Sequence, residues 1–443
     1  MSSVSISSTV SDSVSRTGTG LRVAVVGAGI VGVTTAYELA ADGHRVSVFD
    51  RAGSVATGTS FANAGIVAPG YVAPWAAPGM PGKVLCQLFN RHAAVRIGGI
   101  AALAELPWFW RWWRACRPAV YQANRARMQR LARYSRDRLQ QLTEALQIEH
   151  ERTRGVLVLL RTPRDLALAQ PGLALLGELG VALELLDAAG CRRVEPGLNA
   201  DTPLQAGIRL PDDGAGNCRQ FAQAMRFQAE RRGAEFHFGR SVQRIEPGSA
   251  PRLSLRDAAG GAATSEGFDA VVVCAGIESG PLLRPLGLRL PLLAVHGYSI
   301  SAPLRLLEAY PDLGPRAALM DEKYKVAIVR LGQRLRVAGS AEIGGADGAF
   351  NDAALRTLYR VLDDWFPGAA DLSQVQRWKG ARPMLPDGPP LLGASGRAGI
   401  WLNLGHGSSG WALACGSARV LADRLAGREP EIDTAGLGLD RRA

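Results

Sequence analysis

Lysine is almost absent from this chain. Among 443 residues only Lys83, Lys323, Lys325 and Lys379 carry it, against 47 arginines. The formal charge of +11 is therefore almost entirely guanidinium. With so much alanine beside it, the skew fits GC-rich codon usage. The functional reading is attraction to nucleic acid, an anionic membrane surface or an acidic substrate. No nucleic-acid module accompanies the charge, so no nucleic-acid partner is expected. The six cysteines, Cys86, Cys116, Cys191, Cys218, Cys274 and Cys415, form no C-x-x-C pair. That argues against a zinc site and a disulfide scaffold; no metal is expected, and a reducing, cytoplasmic setting is. No uncharged apolar run reaches the roughly 18–20 residues of a membrane span. The opening MSSVSISSTVSDSVSRTGTG lacks the apolar stretch of a secretory signal and reads as a disordered tail over 1–20.

What is present is globular. Hydrophobic residues make up 47% and charged residues 21%, which excludes a largely disordered chain. The length suggests two or three domains. LRVAVV at 21–26 reads as a buried parallel strand. GAGIVG follows at 27–32, then a helical pattern ending at Gly43, then the strand RVSVF closed by Asp50. Residues 104–147 and 165–180 read as helical. Strands are expected at 155–160, 207–210, 235–238, 242–246, 269–274, 298–301, 324–330, 335–339 and 400–404. Pro211-Asp212-Asp213-Gly214 reads as a turn, and Asn217 as a helix cap. The chain closes with a strand, the glycine loop Gly405-His406-Gly407, and a helix from about Ser409 to Leu425.

This order predicts an α/β fold: a discontinuous Rossmann-like domain with an inserted α+β domain built on an antiparallel sheet. The expected pieces of the first are 21–70, 213–290 and 379–432. Those of the second are 71–212 and 291–378.

G-x-G-x-x-G alone is a weak signal. Here it has a preceding strand, a following helix, a second strand and an acidic residue 18 positions beyond Gly32. Gly27 permits the turn, Gly29 lets a pyrophosphate approach, and Gly32 allows close helix–strand packing. Exposed N–H groups and the helix dipole favour phosphates. Asp50 is suited to an adenosine ribose. No second fingerprint exists for a separate nicotinamide cofactor. The terminal strand–loop–helix reads as returning to the same site, its N-terminus suited to the N1/C2 edge of a flavin. Both features favour FAD.

These residues resemble a known family: the FAD-dependent D-amino acid dehydrogenase small subunit, within the D-amino-acid-oxidase-like flavoproteins. The matching segments are VVGAGIVGVTTAYELAADGHRVSVFDR, TSFANAGIVAPGYVAPWAAPGMPGK, DEKYKVAIVR, RVAGSAEI, GARPMLPDGPPLLG and LNLGHGSSGWALACGSARVLADRLAGREP. The similarity covers about residues 21–432. It implies oxidation of D-amino acids to 2-oxo acids and ammonia, with electrons passing to a quinone or other acceptor. It also implies a cofactor lining of Gly27, Ala28, Gly29, Ile30, Val31, Gly32, Asp50, Arg51, Ser60, Asn63, Ala64 and Gly65. Ala275 and Gly276 would approach the phosphates, and Gly405, His406, Gly407, Ser408, Ser409 and Gly410 the ring. Departures are His296 in place of Lys before Gly-Tyr-Ser, Ser340 in place of Met, Ser-Ser at 408–409 for Thr-Leu, and Lys379 for Thr. They put the preferred side chain in question.

The chemistry needs a held carboxylate, a neutral amine and an α-hydrogen facing flavin N5. Arginine matches a carboxylate with two parallel hydrogen bonds. Arg382, read as lying in a rigid loop between Gly380 and Pro383, is the candidate, because the matching arginine of the superfamily holds the substrate carboxylate. Tyr298 and Tyr324 are candidates for further hydrogen bonds, with satisfied core tyrosines as the competing reading. His296 is a weaker candidate for flavin tuning or proton release; His406 either faces the flavin or orders its turn. No dedicated base is required, since desolvation disfavours an ammonium.

Trp108-Phe109-Trp110-Arg111-Trp112-Trp113-Arg114 suits a membrane interface. The expectation is a peripheral contact on the cytoplasmic face of the inner membrane, through which quinone reaches the flavin. The competing reading packs these aromatics into the fold. Two further function classes stay open: an oxygen-using oxidase of the same fold acting on glycine or cyclic imino acids such as D-proline, and a non-catalytic or nucleic-acid-associated flavoprotein exploiting the basic surface.

Overall fold

The computed structural model describes residues 20–87, 92–98, 104–178, 180–258, 260–305, 310, 313–345 and 348–442. The tail expected over 1–20 lies outside them except for Gly20.

Two sheets organise the chain. The first has six strands, in the order Leu391–Ala394, Ile400–Leu404, Ala270–Val273, Arg22–Val26, Arg45–Asp50, Glu235–Phe238. All neighbours are parallel except the first pair. Alternation within Arg22–Val26 divides its burial between two layers. Val23 and Val25 face helices Ile30–Ala41, Cys218–Glu230 and Gly410–Leu425. Ala24 and Val26 face Ile245, Leu253 and Leu255 of a small three-stranded antiparallel sheet. A strand apolar on both faces is what a parallel sheet covered on both sides requires.

The second sheet has ten strands. Its main order is Gln376–Met384, Leu293–Pro303, Arg334–Ile343, Val326–Leu331, Ala318–Asp321, Thr153–Leu160, Ala206–Ala215, Ile66–Val67. Val95–Ile97 and Glu184–Asp187 pair alongside. Helix Asp352–Trp365 covers one face, burying Leu355, Leu358, Val361, Leu362 and Trp365 at helical spacing. Asn351 caps it, accepting from the Ala353 and Ala354 amides. The opposite face carries Val156, Val158, Leu160, Ala327 and Val329 and meets the 64–71 segment.

Several expected boundaries move. Ile66–Val67 and all of Gln376–Met384 lie in the large sheet, so its edges reach past 70 and 379. Arg382 therefore sits on an edge strand rather than in a loop; an edge tolerates Pro383. Residues 206–215 form one strand through the expected turn, with an irregular register opposite Arg154/Val156. The 104–147 region is two helices, Leu106–Ala115 and Pro118–Ala145, parted where Pro118 starts the second. The second packs Leu139 and Leu142 against the helices of the six-stranded sheet, not onto the large sheet. Asn217 caps its helix as expected, accepting from Gln220 N.

Candidate active site

The glycine turn at 27–32 is fixed by crowding. Gly27 has φ +105°, and a Cβ there would meet the Cys274 carbonyl oxygen at 2.8 Å. A Cβ on Gly32 would stand 1.8 Å from the Gly27 carbonyl oxygen. No side chain larger than hydrogen fits either place. Asp50, ending its strand beside this turn, accepts from Ala28 N at 2.7 Å and Ala52 N at 2.9 Å. Ser60 Oγ accepts from Ile30 N at 3.1 Å. Arg51 reaches Glu278 at 3.2 Å, just beyond Ala275 and Gly276, but both side chains are well exposed, and such a pair contributes little.

The 59–65 loop joins this turn to the large sheet. Thr59 Oγ1 donates to the Ala381 carbonyl at 2.6 Å. Ser299 Oγ donates to the Ala62 carbonyl at 2.7 Å. Arg336 donates to the Asn63 carbonyl at 3.3 Å and to Ser301 Oγ at 3.0 Å. Asn63 folds its side chain back onto Gly65 N, and Trp411 Nε1 donates to the Gly65 carbonyl. Three neighbouring strands of one sheet face thus hold the loop. The turn at 405–410 arrives there too, His406 bridging to Met384. Helix Gly410–Leu425 starts with no side-chain cap and no acidic residue in its first turn; the same holds for Ile30–Ala41. Both starts present amide hydrogens and positive dipole ends.

Arg382 lies on this face, half-buried, and Nη1 donates to the Ser340 carbonyl at 2.9 Å. Among the described residues no carboxylate lies within ion-pairing distance of it. Burial pushes its pKa down to about 10.

The sequence profile of the FAD dependent oxidoreductases (DAO) matches residues 22–424. The chain belongs to that family. It is 46% identical to the D-amino acid dehydrogenase of Cereibacter sphaeroides over 428 residues, 96% of each chain. It is 43% identical to that of Rhizorhabdus wittichii over 423 residues, 95% of this chain and all of that one. Among solved structures, the glycine oxidase of Geobacillus kaustophilus superposes with a TM-score of 0.72 at 22% identity, covering 95% of this chain and 98% of the other. That likeness speaks for the fold. FAD is the cofactor of this DAO-family chain. The two helix N-termini with their positive dipole ends, the glycine lining around them and Asp50 as an acceptor fit phosphates, an electron-rich ring edge and a ribose.

Not every candidate joins the site. Val295 pairs with Arg382, and Tyr298 with Lys379, in one regular ladder. Residues three apart on a strand point to opposite faces. Tyr298 accordingly packs against the Asp352–Trp365 helix, and its hydroxyl donates to Glu342. Burial and that carboxylate raise its pKa. Burial works against the Glu342 charge, yet hydrogen bonds from Asn351 and Tyr298 and the Lys379 charge hold it below the usual carboxylate range. Tyr324 lies in the same cluster, with the Arg161 guanidinium 5.0 Å from its ring centre. His296 also turns to this side, lining a cavity of about 280 Å³ with Phe350, Arg377 and Lys379. These three stand across the sheet from the 59–65 loop, the cofactor loop expected from Ser60, Asn63, Ala64 and Gly65. His406 is fully enclosed, its Nε2 3.0 Å from Ser417 Oγ, and burial pushes its pKa down to about 3. Burial there favours the neutral ring, tied to the closing helix through Ser417.

Sequence reasoning missed Thr59, Ser299 and Arg336, the residues that tie the loop to the sheet. Single hydroxyls and one arginine among 47 carry no local pattern. Strand parity relative to Arg382 would have singled out Ser299.

Proposed function

We propose that this chain oxidises D-amino acids to 2-oxo acids and ammonia, electrons passing from the flavin to a quinone. The unpaired Arg382 guanidinium under the cofactor loop carries the reading, together with relatives called D-amino acid dehydrogenase at 42–46% identity. Its fork takes the substrate carboxylate as the missing counter-charge. Burial beside an arginine disfavours an ammonium, so the amine binds after giving its proton to water. No residue need act as base; His406 stays neutral and leaves no competing charge. FAD, held by the 27–32 turn and the start of helix Gly410–Leu425, would supply the two-electron acceptor for a hydride from Cα. The nitrogen lone pair forms C=N as that hydride leaves. Water then adds to the iminium, a proton passes to solvent, and ammonia leaves the 2-oxo acid.

An anaerobic screen of paired D- and L-amino acids tests this. D-substrates bleach the flavin and L-substrates do not; bleaching by L-forms alone, or by neither, overturns it. Peroxide release in air without added quinone would replace the quinone by oxygen.

The membrane contact narrows. Among the described residues no helix is long and apolar enough to cross a membrane. Trp108 and Trp112 are turned inward, against Trp75, Val295 and Met384. Leu106, Trp110 and Trp113 stay exposed at 60%, 59% and 49%, next to the exposed Arg111 and Arg114. An apolar strip edged by guanidinium suits an anionic bilayer surface. Flotation with anionic vesicles tests it: binding is expected, and replacing Trp110 and Trp113 with Ser should abolish it. Equal flotation of the variant removes the contact.

A further inference from the structure

We infer that Gly297 and Ser340 form a seat that sets the Arg382 guanidinium in place, making both positioning residues for the substrate carboxylate. The inference rests on the carboxylate role proposed above for Arg382.

Three neighbouring strands build the seat. Gln376–Met384 carries the arginine, Leu293–Pro303 carries Gly297, and Arg334–Ile343 carries Ser340. Gly297 lies under the guanidinium. A Cβ there would stand 2.3 Å from Nη2, 2.5 Å from Cζ and 2.8 Å from Nη1. Its backbone is not in the left-handed region, so the glycine is required by the arginine above it rather than by its own conformation.

Ser340 supplies the side wall. His296 pairs with Glu342 and Tyr298 with Gly339. Two residues, Ser340 and Ala341, therefore stand opposite Gly297 alone, which is a β-bulge. Within it Ser340 takes φ +60°, a costly conformation for a residue with a Cβ. The result is a carbonyl turned onto the face, accepting Arg382 Nη1 at 2.9 Å. The serine hydroxyl contributes nothing to this. It is buried without a hydrogen-bond partner among the described residues. The carbonyl direction is what the bulge delivers. With Nη1 committed and the floor cleared, Nε and Nη2 remain for a carboxylate.

Variants separate the seat from general stability. Gly297→Ala should fold, because a guanidinium end can swing aside while the strand keeps its geometry. Flavin content and thermal midpoint should stay near the parent. KM for the best D-amino acid should rise about 10- to 100-fold, as expected for an anchor displaced by about 1 Å, with kcat changed less. Benzoate, followed by its perturbation of the flavin spectrum, should bind correspondingly more weakly, and benzamide as the neutral control equally well. Ser340→Val, which resists positive φ, should repeat the effect, whereas Ser340→Gly, which accepts it freely, should behave as the parent. If Gly297→Ala does not fold, the Val/Gly pair at 340 decides. Parent-like KM in Gly297→Ala and Ser340→Val, with KM raised in Arg382→Leu, overturns the seat and leaves the carboxylate reading standing. An unchanged KM in Arg382→Leu overturns that reading first, and the seat with it.

Discussion

The two faces of the ten-stranded sheet treat charge in opposite ways. Under the Asp352–Trp365 helix, buried charges are paired. Arg161 reaches Asp321 at 2.7 Å and Asp364 at 2.8 Å, and Lys379 stands 3.6 Å from Glu342. On the face beneath the cofactor loop, among the described residues, Arg382 and Arg336 have no carboxylate within ion-pairing distance, and Asp213 has no cation. Burial pushes Arg336 down to about 10, with Arg334 adding repulsion. It pushes the Asp213 carboxyl up to about 7. A buried pair is a finished interaction, whereas a buried single charge is destabilising unless something arrives to complete it. Residue type does not tell the faces apart, but the state of pairing does.

The strongest way to break the contrast is at Arg382. Arg382→Leu should lower kcat/KM about 10³-fold, since each hydrogen bond to a charged group is worth roughly 1.5–3 kcal/mol. It should leave flavin content and thermal midpoint nearly unchanged, because no acidic partner is stranded. A variant that loses its flavin instead would show the arginine to be part of the fold.

Arg161→Leu is the mirror experiment. Asp321, fully enclosed, keeps hydrogen bonds from Trp365 Nε1 at 2.7 Å and Tyr324 N at 3.0 Å, but loses its counter-charge. Stranding one member of a buried pair costs about 3–5 kcal/mol. Chemical denaturation should register that loss, while KM of the surviving folded enzyme stays put. A shift in KM with full stability would mean that the two faces are coupled.

Asp213 gives the contrast a pH signature. Its side-chain oxygen accepts the Gly70 amide at 3.1 Å, tying the 69–72 segment to the large sheet. The folded protein keeps the proton up to about pH 7, whereas the unfolded chain releases it near 3.8. Between those values the folded state binds more protons, so stability falls as pH rises, by about 2–3 kcal/mol from pH 5 to 8. Asp213→Asn keeps the acceptor and has no proton to lose, so that slope should disappear. An identical slope in the variant would place the titrating group elsewhere.

Legibility followed the range of each constraint. The opening strand–turn–helix–strand unit and the closing Gly405–Gly410 turn are local, and their residues announced them. Asp50, Ser60 and Asn63 came with the motifs, and Arg382 through its motif alone. Its strand did not, because Gly380 and Pro383 look like breakers until an edge position excuses them. Which face a residue takes depends on register with distant strands. Tyr298 is one position from the residue facing the bulge and three from the partner of Arg382, and nothing within its own segment reports that parity. The exposed and buried tryptophans of 108–113 divided for the same reason: only the packing of Leu106–Ala115 decides which indoles turn in.

The smallest expected effect is at Tyr298. Its ring fills the core under the helix, and Tyr298→Phe keeps that packing while removing one donor to Glu342. The carboxylate retains Asn351 Nδ2 at 2.7 Å and the Lys379 charge, so the loss should be about 1 kcal/mol of stability. Because the hydroxyl points away from the cofactor loop, KM and kcat should each stay within about twofold, inside the range of small surface-like effects. The same substitution in a tyrosine on the cofactor face would reverse the pattern, leaving stability alone and changing KM. A tenfold rise in KM with unchanged stability in Tyr298→Phe would put that hydroxyl on the substrate side, and the division of the sheet into a paired and an unpaired face would fail at its most accessible point.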